Sequence, residues 1–273
     1  MSHGRLEAVI AACQAVLDTR PSGLFADVDG TLSRITPVPD AAVVPTGIKA
    51  ALMTLTERVD LVVAVTGRGV VDARRMIGLD SMGYFGNHGL ERWQDGQVLV
   101  HPRAQPSVPM IQAAFRQLSQ TVHVSGLIFE DKGVSASIHY RLAPDPVAAR
   151  QRLLQAIGAL ASASALRVTE GRMVLNLLPR LALDKGSAVV ELVRQHQLRG
   201  AVFIGDDMTD LDAVRALQHL RATSDVRTFG VAVLSPDGPP ELAQLADGAV
   251  EGVDDVELLL GALATRAAKH LPR

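Results

Sequence analysis

Asp27 and Asp29 stand two residues apart at the end of a short apolar run, and Gly30-Thr31 follow at once. On an extended chain alternate side chains share a face, so both carboxylates can reach one reacting centre, while the glycine permits a sharp turn. A second acidic group, Asp206, Asp207 and Asp210, follows another apolar run that ends at Gly205. So many like charges in one cleft repel unless a cation sits among them, and oxygen ligands with no paired His or Cys favour Mg²⁺ over zinc. Thr66 adds a hydroxyl after a third apolar run, and Lys185 a compact cation at the start of a helical pattern. Both are what the oxygens of a phosphoryl group need. The set reads as phosphoryl transfer through an aspartyl phosphate.

Taken singly, these groups say less. Asp206, Asp207 and Asp210 equally describe the acidic N-terminus of a helix, and Lys185-Gly186-Ser187 an ordinary helix start. The Gly-x-x-x-x-Gly-Lys order of a P-loop is absent at Lys185, and Asp72 stands where the third glycine of a dinucleotide fingerprint starting at Gly67 belongs.

Three distant stretches of chain must therefore be brought together. The runs Gly23 to Ala26, Leu61 to Val65 and Ala201 to Ile204 are nearly uninterrupted in apolar residues, as expected of parallel strands buried on both faces. Helical patterns at Pro45 to Arg58, Arg68 to Ile77 and Asp184 to Gln195 separate them. This predicts an α/β core of β-α-β units with the three polar clusters at one edge of a mostly parallel sheet. Leu6, Val9, Ile10, Cys13, Val16 and Leu17 recur at helical spacing, which predicts an N-terminal helix packed on that core. Between 107 and 179 the pattern changes. A helix (Met110 to Gln120), strands (Leu127 to Asp131, Val134 to Tyr140), a second helix (Pro146 to Leu160) and two more strands (Leu166 to Thr169, Met173 to Leu178) follow in order. That order predicts a smaller inserted α+β cap domain, 107–179, between core segments 1–106 and 180–273.

A chain of 273 residues suits a large domain with a smaller insert. Apolar residues at 48% and charged residues at 21% exclude a disordered or collagen-like chain. The net charge of -2 offers no basic footprint for nucleic acid, and no apolar run reaches the length of a membrane span. The lone Cys13 favours a reducing compartment, and Arg5, Glu7, Asp18 and Arg20 interrupt the start as no signal peptide would, so a cytoplasmic location is expected. Of 27 Lys plus Arg only four are Lys: Lys49, Lys132, Lys185 and Lys269. Lys49 and Lys269 read as solvated helix residues, whereas Lys185 stands where a compact ammonium matters.

The run Asp27-Val28-Asp29-Gly30-Thr31, then Thr66, Lys185 and Gly205-Asp206-Asp207-Met208-Thr209-Asp210, resembles the four signatures of haloacid dehalogenase-like (HAD) phosphatases, in order. The resemblance implies a Rossmannoid core with a cap of the C2 type. Within that superfamily, Glu130-Asp131-Lys132-Gly133 followed by His139-Tyr140-Arg141, with Gly86-Asn87-His88-Gly89 upstream, resembles the trehalose-6-phosphate phosphatases, and the likeness runs from about Leu24 to Val250. It implies that Asp27 is the nucleophile and that Mg²⁺ is held by the Asp27 carboxylate, the Asp29 main-chain carbonyl and Asp206. Asp29 would be the general acid and base, Thr66 and Lys185 would hold phosphate oxygens, and Asp207 and Asp210 would orient Lys185 and metal-bound water. Glu130 and Lys132, with Arg141 nearby, would bind sugar hydroxyls, and Asn87 and His88 would face the sugar from the core side.

Some positions depart from the family pattern. Thr66 replaces the usual Ser and keeps the hydroxyl. Leu211 and Val214 replace a Glu and a Phe that often follow the last motif. Asn176 stands where a second cap glutamate is common; an amide both donates and accepts but loses a charge-assisted bond, roughly twice as strong as a neutral one. By spacing alone Glu130 to Lys132 also read as a charged hairpin turn, His139 as a cross-strand packing residue and Arg141 as an exposed strand end. Asn176 reads equally as a structural amide or a ligand group. The resemblance implies Mg²⁺-dependent hydrolysis of trehalose 6-phosphate, a small sugar phosphate, and a pathway link to a trehalose-6-phosphate synthase. Alternatives are another disaccharide phosphate or a glycosyl-phosphoglycerate as substrate, a phosphosugar mutase, or a non-catalytic sugar-phosphate sensor. Nothing in the sequence sets the oligomeric state, and a monomer is favoured.

Overall fold

A computed structural model describes residues 3–36, 38, 41–171 and 173–268; Lys269 lies outside the described residues. The chain divides into two compact units, one holding the described residues up to Val98 and from Leu183 onward, the other Leu99–Ala182. In chain order the elements are α1 (His3–Leu17), β1 (Ser22–Ala26), α2 (Thr46–Thr56), β2 (Leu61–Val65), α3 (Val70–Ile77), β3 (Gly83–Gly86), β4 (Glu91–Gln94) and β5 (Gln97–Val100). Then come α4 (Val108–Thr121), β6 (Ile128–Asp131), β7 (Ala136–His139), α5 (Pro146–Gly158), β8 (Leu166–Gly171) and β9 (Val174–Pro179). The chain ends with α6 (Lys185–Gln195), β10 (Gly200–Gly205), α7 (Asp210–Thr223), β11 (Arg227–Leu234), α8 (Pro240–Leu245), β12 (Gly248–Glu251) and α9 (Gly252–Ala268). Among the described residues no helix is long and apolar enough to cross a membrane.

The larger unit is a sheet in the order β12-β11-β10-β1-β2-β3-β4-β5, parallel from β12 to β3. Its strands are apolar on both faces because helices cover both. Leu24, Val62, Val202 and Val231 turn to one side, where they pack with α1, α2, α3 and α9; Phe25, Val63, Phe203 and Ala232 turn to the other, against α6, α7 and α8. Each fully buried side chain of this size contributes about 1.5–3 kcal/mol. Leu6, Val9, Ile10, Cys13, Val16 and Leu17 of α1 are all buried, as their spacing predicts. Leu211 and Val214 belong to the core beneath α7.

Register fixes the site. Ala26, the last residue of β1, pairs with Ile204 of β10 and Ala64 is its partner in β2. The polar residues that follow each strand thus leave the sheet at one edge.

In the smaller unit β6-β7-β9-β8 form an antiparallel sheet. Ala136, Ile138, Leu175 and Leu177 pack in one cluster with Ile111, Ala114 and Leu118 of α4 and Ala149, Leu153 and Ile157 of α5. Side chains alternate across a sheet, so the opposite face carries the cross-strand row Glu130, Ser137, Asn176 and Thr169. This unit is wider than the expected 107–179. At its start the short turn Gln105–Ser107 runs directly into α4, and at its end the Arg180 amide donates to the Ala165 carbonyl at 3.0 Å.

Candidate active site

Asp27 follows β1 directly, its amide still donating to the Ile204 carbonyl of β10 at 2.9 Å. The chain then turns sharply. Gly30 has φ +87, donates to the Ser33 carbonyl at 2.7 Å, and leaves room that a side chain would fill, since a Cβ there would lie 2.0 Å from Asp206 Oδ2. Asp206 therefore sits against the turn, and its Oδ1 accepts from the Thr31 hydroxyl at 3.0 Å.

Lys185 opens α6, whose N-terminus is pinned by a reciprocal cap. Asp184 Oδ1 accepts from the Ser187 amide at 2.7 Å, and Ser187 Oγ accepts from the Asp184 amide at 2.8 Å. The Lys185 ammonium is buried between two carboxylates, 2.9 Å from Asp27 Oδ1 and 2.7 Å from Asp210 Oδ1. Burial works against its charge, but Asp210 and Asp27 outweigh that and hold its pKa above the ordinary lysine value. Asp210 is used up by the protein: besides Lys185, its Oδ2 accepts from the Asp206 and Asp207 amides, each at 2.9 Å.

Burial raises the Asp27 carboxyl to about 7, with Lys185 opposing the shift and Asp210 and Asp29 adding to it. Its Oδ1 faces the Lys185 ammonium at 2.9 Å. One oxygen each from Asp27, Asp206 and Asp210 lie within 4.8 Å of one another. Three ionised carboxylates against one ammonium leave two negative charges, which a divalent cation would balance. Asp210 is engaged by Lys185 and two amides, so Asp27 and Asp206 are the carboxylates that would face it, and an all-oxygen set fits Mg²⁺.

Asp29 and Thr66 stand on the same edge. Arg68, three residues beyond β2, grips Asp29 with two parallel bonds, Nε to Oδ2 at 2.6 Å and Nη2 to Oδ1 at 2.7 Å. Thr66 is buried, and its Oγ1 accepts from the Arg68 amide at 3.2 Å. Asn87 and His88 form a left-handed turn after β3, with φ 51 and 58. Both are buried, and a Cβ on Gly67 would lie 2.6 Å from His88 Cε1, so the imidazole packs on the Thr66-Gly67-Arg68 turn.

The trehalose-phosphatase family profile matches residues 25–238, well over half of the chain. The chain belongs to this family. A trehalose-phosphate phosphatase of Mycobacterium avium (strain 104) is 35% identical over 247 residues, covering 84% of this chain and 62% of the relative. Another, from Mycobacterium bovis (strain BCG / Pasteur 1173P2), is 32% identical over 247 residues, covering 85% and 62%. The chain thus spans about six-tenths of the length of these curated relatives, at 62% of each. A trehalose-6-phosphate phosphatase C-terminal domain from C. albicans has the same fold, with a TM-score of 0.77 at 19% identity over 94% of this chain and 96% of that one.

In this trehalose-phosphatase family member the smaller unit gathers a second polar group. Glu130 Oε2 lies 3.5 Å from Lys132 Nζ and 3.1 Å from His139 Nε2. Burial raises the Glu130 carboxyl, but the His139 bond and Lys132 outweigh it and leave its pKa below the ordinary value. Asn176 Oδ1 accepts from the Ser137 hydroxyl at 2.7 Å, and its Nδ2 lies 3.5 Å from Thr169 Oγ1. Arg141 is half-buried in the turn after β7. His139 lies in the His139-Tyr140-Arg141 run, which implies no site role for it, and Arg68, the partner of Asp29, shows only a position after a strand and a glycine.

Proposed function

We propose that the protein hydrolyses trehalose 6-phosphate to trehalose and phosphate, with Mg²⁺, through an aspartyl phosphate on Asp27. The observation that carries this reading is the buried Asp27 Oδ1, 2.9 Å from the Lys185 ammonium, at the edge where Asp29, Thr66 and Asp206 also emerge. An Asp27 oxygen attacks phosphorus, and the bond from phosphorus to the sugar oxygen breaks. Asp29 gives its proton to that departing oxygen. In the second half Asp29 takes a proton from water, the water oxygen bonds to phosphorus, and the bond from phosphorus to Asp27 breaks. Lys185 and the Thr66 hydroxyl hold phosphoryl oxygens through both halves, Lys185 being kept in place by Asp210. Asp27, the Asp29 main-chain carbonyl and Asp206 would hold Mg²⁺, which when bound offsets charge on these carboxylates and on the phosphoryl group.

The Leu99–Ala182 unit serves in this reading as the cap, with Glu130, Lys132 and Arg141 bonding sugar hydroxyls and His139 steadying Glu130. Asn87 and His88 line the site from the core, His88 through its contact with the turn at Gly67. A buried, free Cys13 suits a reducing compartment such as the cytoplasm.

A second substrate reading, another disaccharide phosphate or a glycosyl-phosphoglycerate, is favoured by one observation. Asn176 spends its carbonyl on Ser137, so it presents an amide donor rather than a charged acceptor. Phosphate release from trehalose 6-phosphate, glucose 6-phosphate and a glycosyl-phosphoglycerate, in parallel, decides between them. A strong preference for trehalose 6-phosphate is expected; preference for either other ester overturns that assignment.

A further inference from the structure

The segment after β3 clasps the turn that carries Thr66 and Arg68. Four hydrogen bonds join them: the Thr66 amide to the Phe85 carbonyl at 2.9 Å, the Asn87 amide to the Arg68 carbonyl at 2.7 Å, the His88 amide to the Thr66 carbonyl at 2.9 Å, and the Val70 amide to Glu91 Oε1 at 2.7 Å. Three of these run between main chains and are open to any sequence. The fourth depends on a side chain at position 91. Glu91 is 7% exposed, and a buried carboxylate is costly unless its surroundings hold it. The first turn of α3 helps to hold it, since the Val70 amide donates to it and the helix dipole favours negative charge there. The two segments also touch at backbone level, since a Cβ on Gly86 would lie 2.6 Å from the Val70 nitrogen and 2.8 Å from the Arg68 oxygen.

Arg68 lies in the middle of this clasp. Its amide donates to Thr66 Oγ1, its carbonyl accepts from Asn87, and two residues on Val70 is held by Glu91. The guanidinium lies along the Asp29 carboxylate. We propose that Glu91 is a positioning residue of the reaction. By holding the Val70 amide it fixes the turn from Thr66 to Val70, and so keeps the Arg68 guanidinium on Asp29. This rests on the reading of Asp29 as proton donor and acceptor.

The test is a double-mutant cycle on 4-nitrophenyl phosphate with excess Mg²⁺, using Glu91→Ala, Arg68→Ala and the pair together, each shown to be folded by its circular dichroism melt. Glu91→Ala is expected to lower kcat about tenfold with KM changed by about twofold or less, and the pair to lose no more than Arg68→Ala alone. Glu91→Gln keeps an acceptor oxygen and should return kcat to within about threefold of the wild type. Val70→Pro supplies a second route that removes the bond from its other end, with Glu91 kept in the sequence. It deletes the donated amide at a first helical position, where proline is tolerated, and Gly69 already has the extended φ -59, ψ 142 that a following proline requires. It should reproduce the Glu91→Ala loss. Additive losses in the cycle, or wild-type kcat in either Glu91→Ala or Val70→Pro, overturn the proposal. Asp29→Ala in the same assay tests the reading beneath it, so failure of the one is told from failure of the other.

Discussion

Replacing Asp27 with Asn should abolish turnover and make the metal-free protein more stable, and the second effect can be sized. Burial raises the Asp27 carboxyl from 3.8 to about 7. Because its folded pKa lies above the unfolded one, the folded protein keeps a proton that the unfolded chain gives up. Stability therefore falls as pH rises from about 4, and the loss is complete just above 7. The difference, 7 minus 3.8, is about 3 pH units; at about 1.36 kcal/mol each that is roughly 4 kcal/mol. Asn keeps the oxygen that lies 2.9 Å from Lys185 Nζ but has no charge to desolvate, and Asp210 remains as the counterion of Lys185. By pH 5 about a third of the gap is already open, and most of it remains to appear by pH 8. At about 2–4 °C per kcal/mol for a chain of this size, the Tm advantage of Asp27→Asn should widen by several degrees between pH 5 and pH 8. Melts of both proteins in EDTA, followed by circular dichroism, measure it, with phosphate release in Mg²⁺ assayed alongside. A gap that stays constant with pH, or a variant less stable than wild type at pH 8, refutes the electrostatic reasoning. Magnesium-dependent turnover by Asp27→Asn refutes the nucleophile assignment.

Lys185→Met leaves Asp27 and Asp210 buried without their ammonium and should cost about 3–5 kcal/mol in urea unfolding at pH 7. Lys185→Arg keeps the charge, but the wider guanidinium meets two carboxylates already within 2.9 and 2.7 Å, so it should fold while losing most phosphate release. Gly30→Ala forces a Cβ to within 2.0 Å of Asp206 Oδ2 at φ +87, and should weaken Mg²⁺ binding, read by titration calorimetry, more than it lowers Tm. Glu130→Gln and Lys132→Arg should each lower kcat/KM for trehalose 6-phosphate by about tenfold while leaving 4-nitrophenyl phosphate, which has no sugar, within about twofold.

The strands that carry chemistry were legible because each is a continuous apolar run with a polar cluster at its end. Leu61–Val65 is observed at the expected limits, and the other two are longer by one or two residues. The strands Gly83–Gly86 and Gly248–Glu251 have only four residues each and end on no comparable cluster, so nothing local marks them. Arg227–Leu234 is longer, but Gly230 interrupts it. The carboxylates were legible for a related reason: like charges crowded at a strand end demand a cation, and that demand is visible in residue type alone. What a side chain holds is a different matter. Arg68 reaches Asp29 across 39 positions, and Glu91 reaches Val70 across 21, distances at which spacing says nothing.

Asn87 and His88 carry a contact that their motif does not name. Asn87 is fully buried and the His88 ring lies on Gly67, within the turn from Thr66 to Arg68. Two consecutive non-glycine residues at left-handed φ are held only where the surroundings enforce it. Here the enforcing partners are the carbonyls of Thr66 and Arg68, which accept from the His88 and Asn87 amides. The strained turn is therefore shaped by the residues that place Thr66 and Arg68. A change at 87 or 88 should register first in kcat for any phosphate ester, including one with no sugar attached.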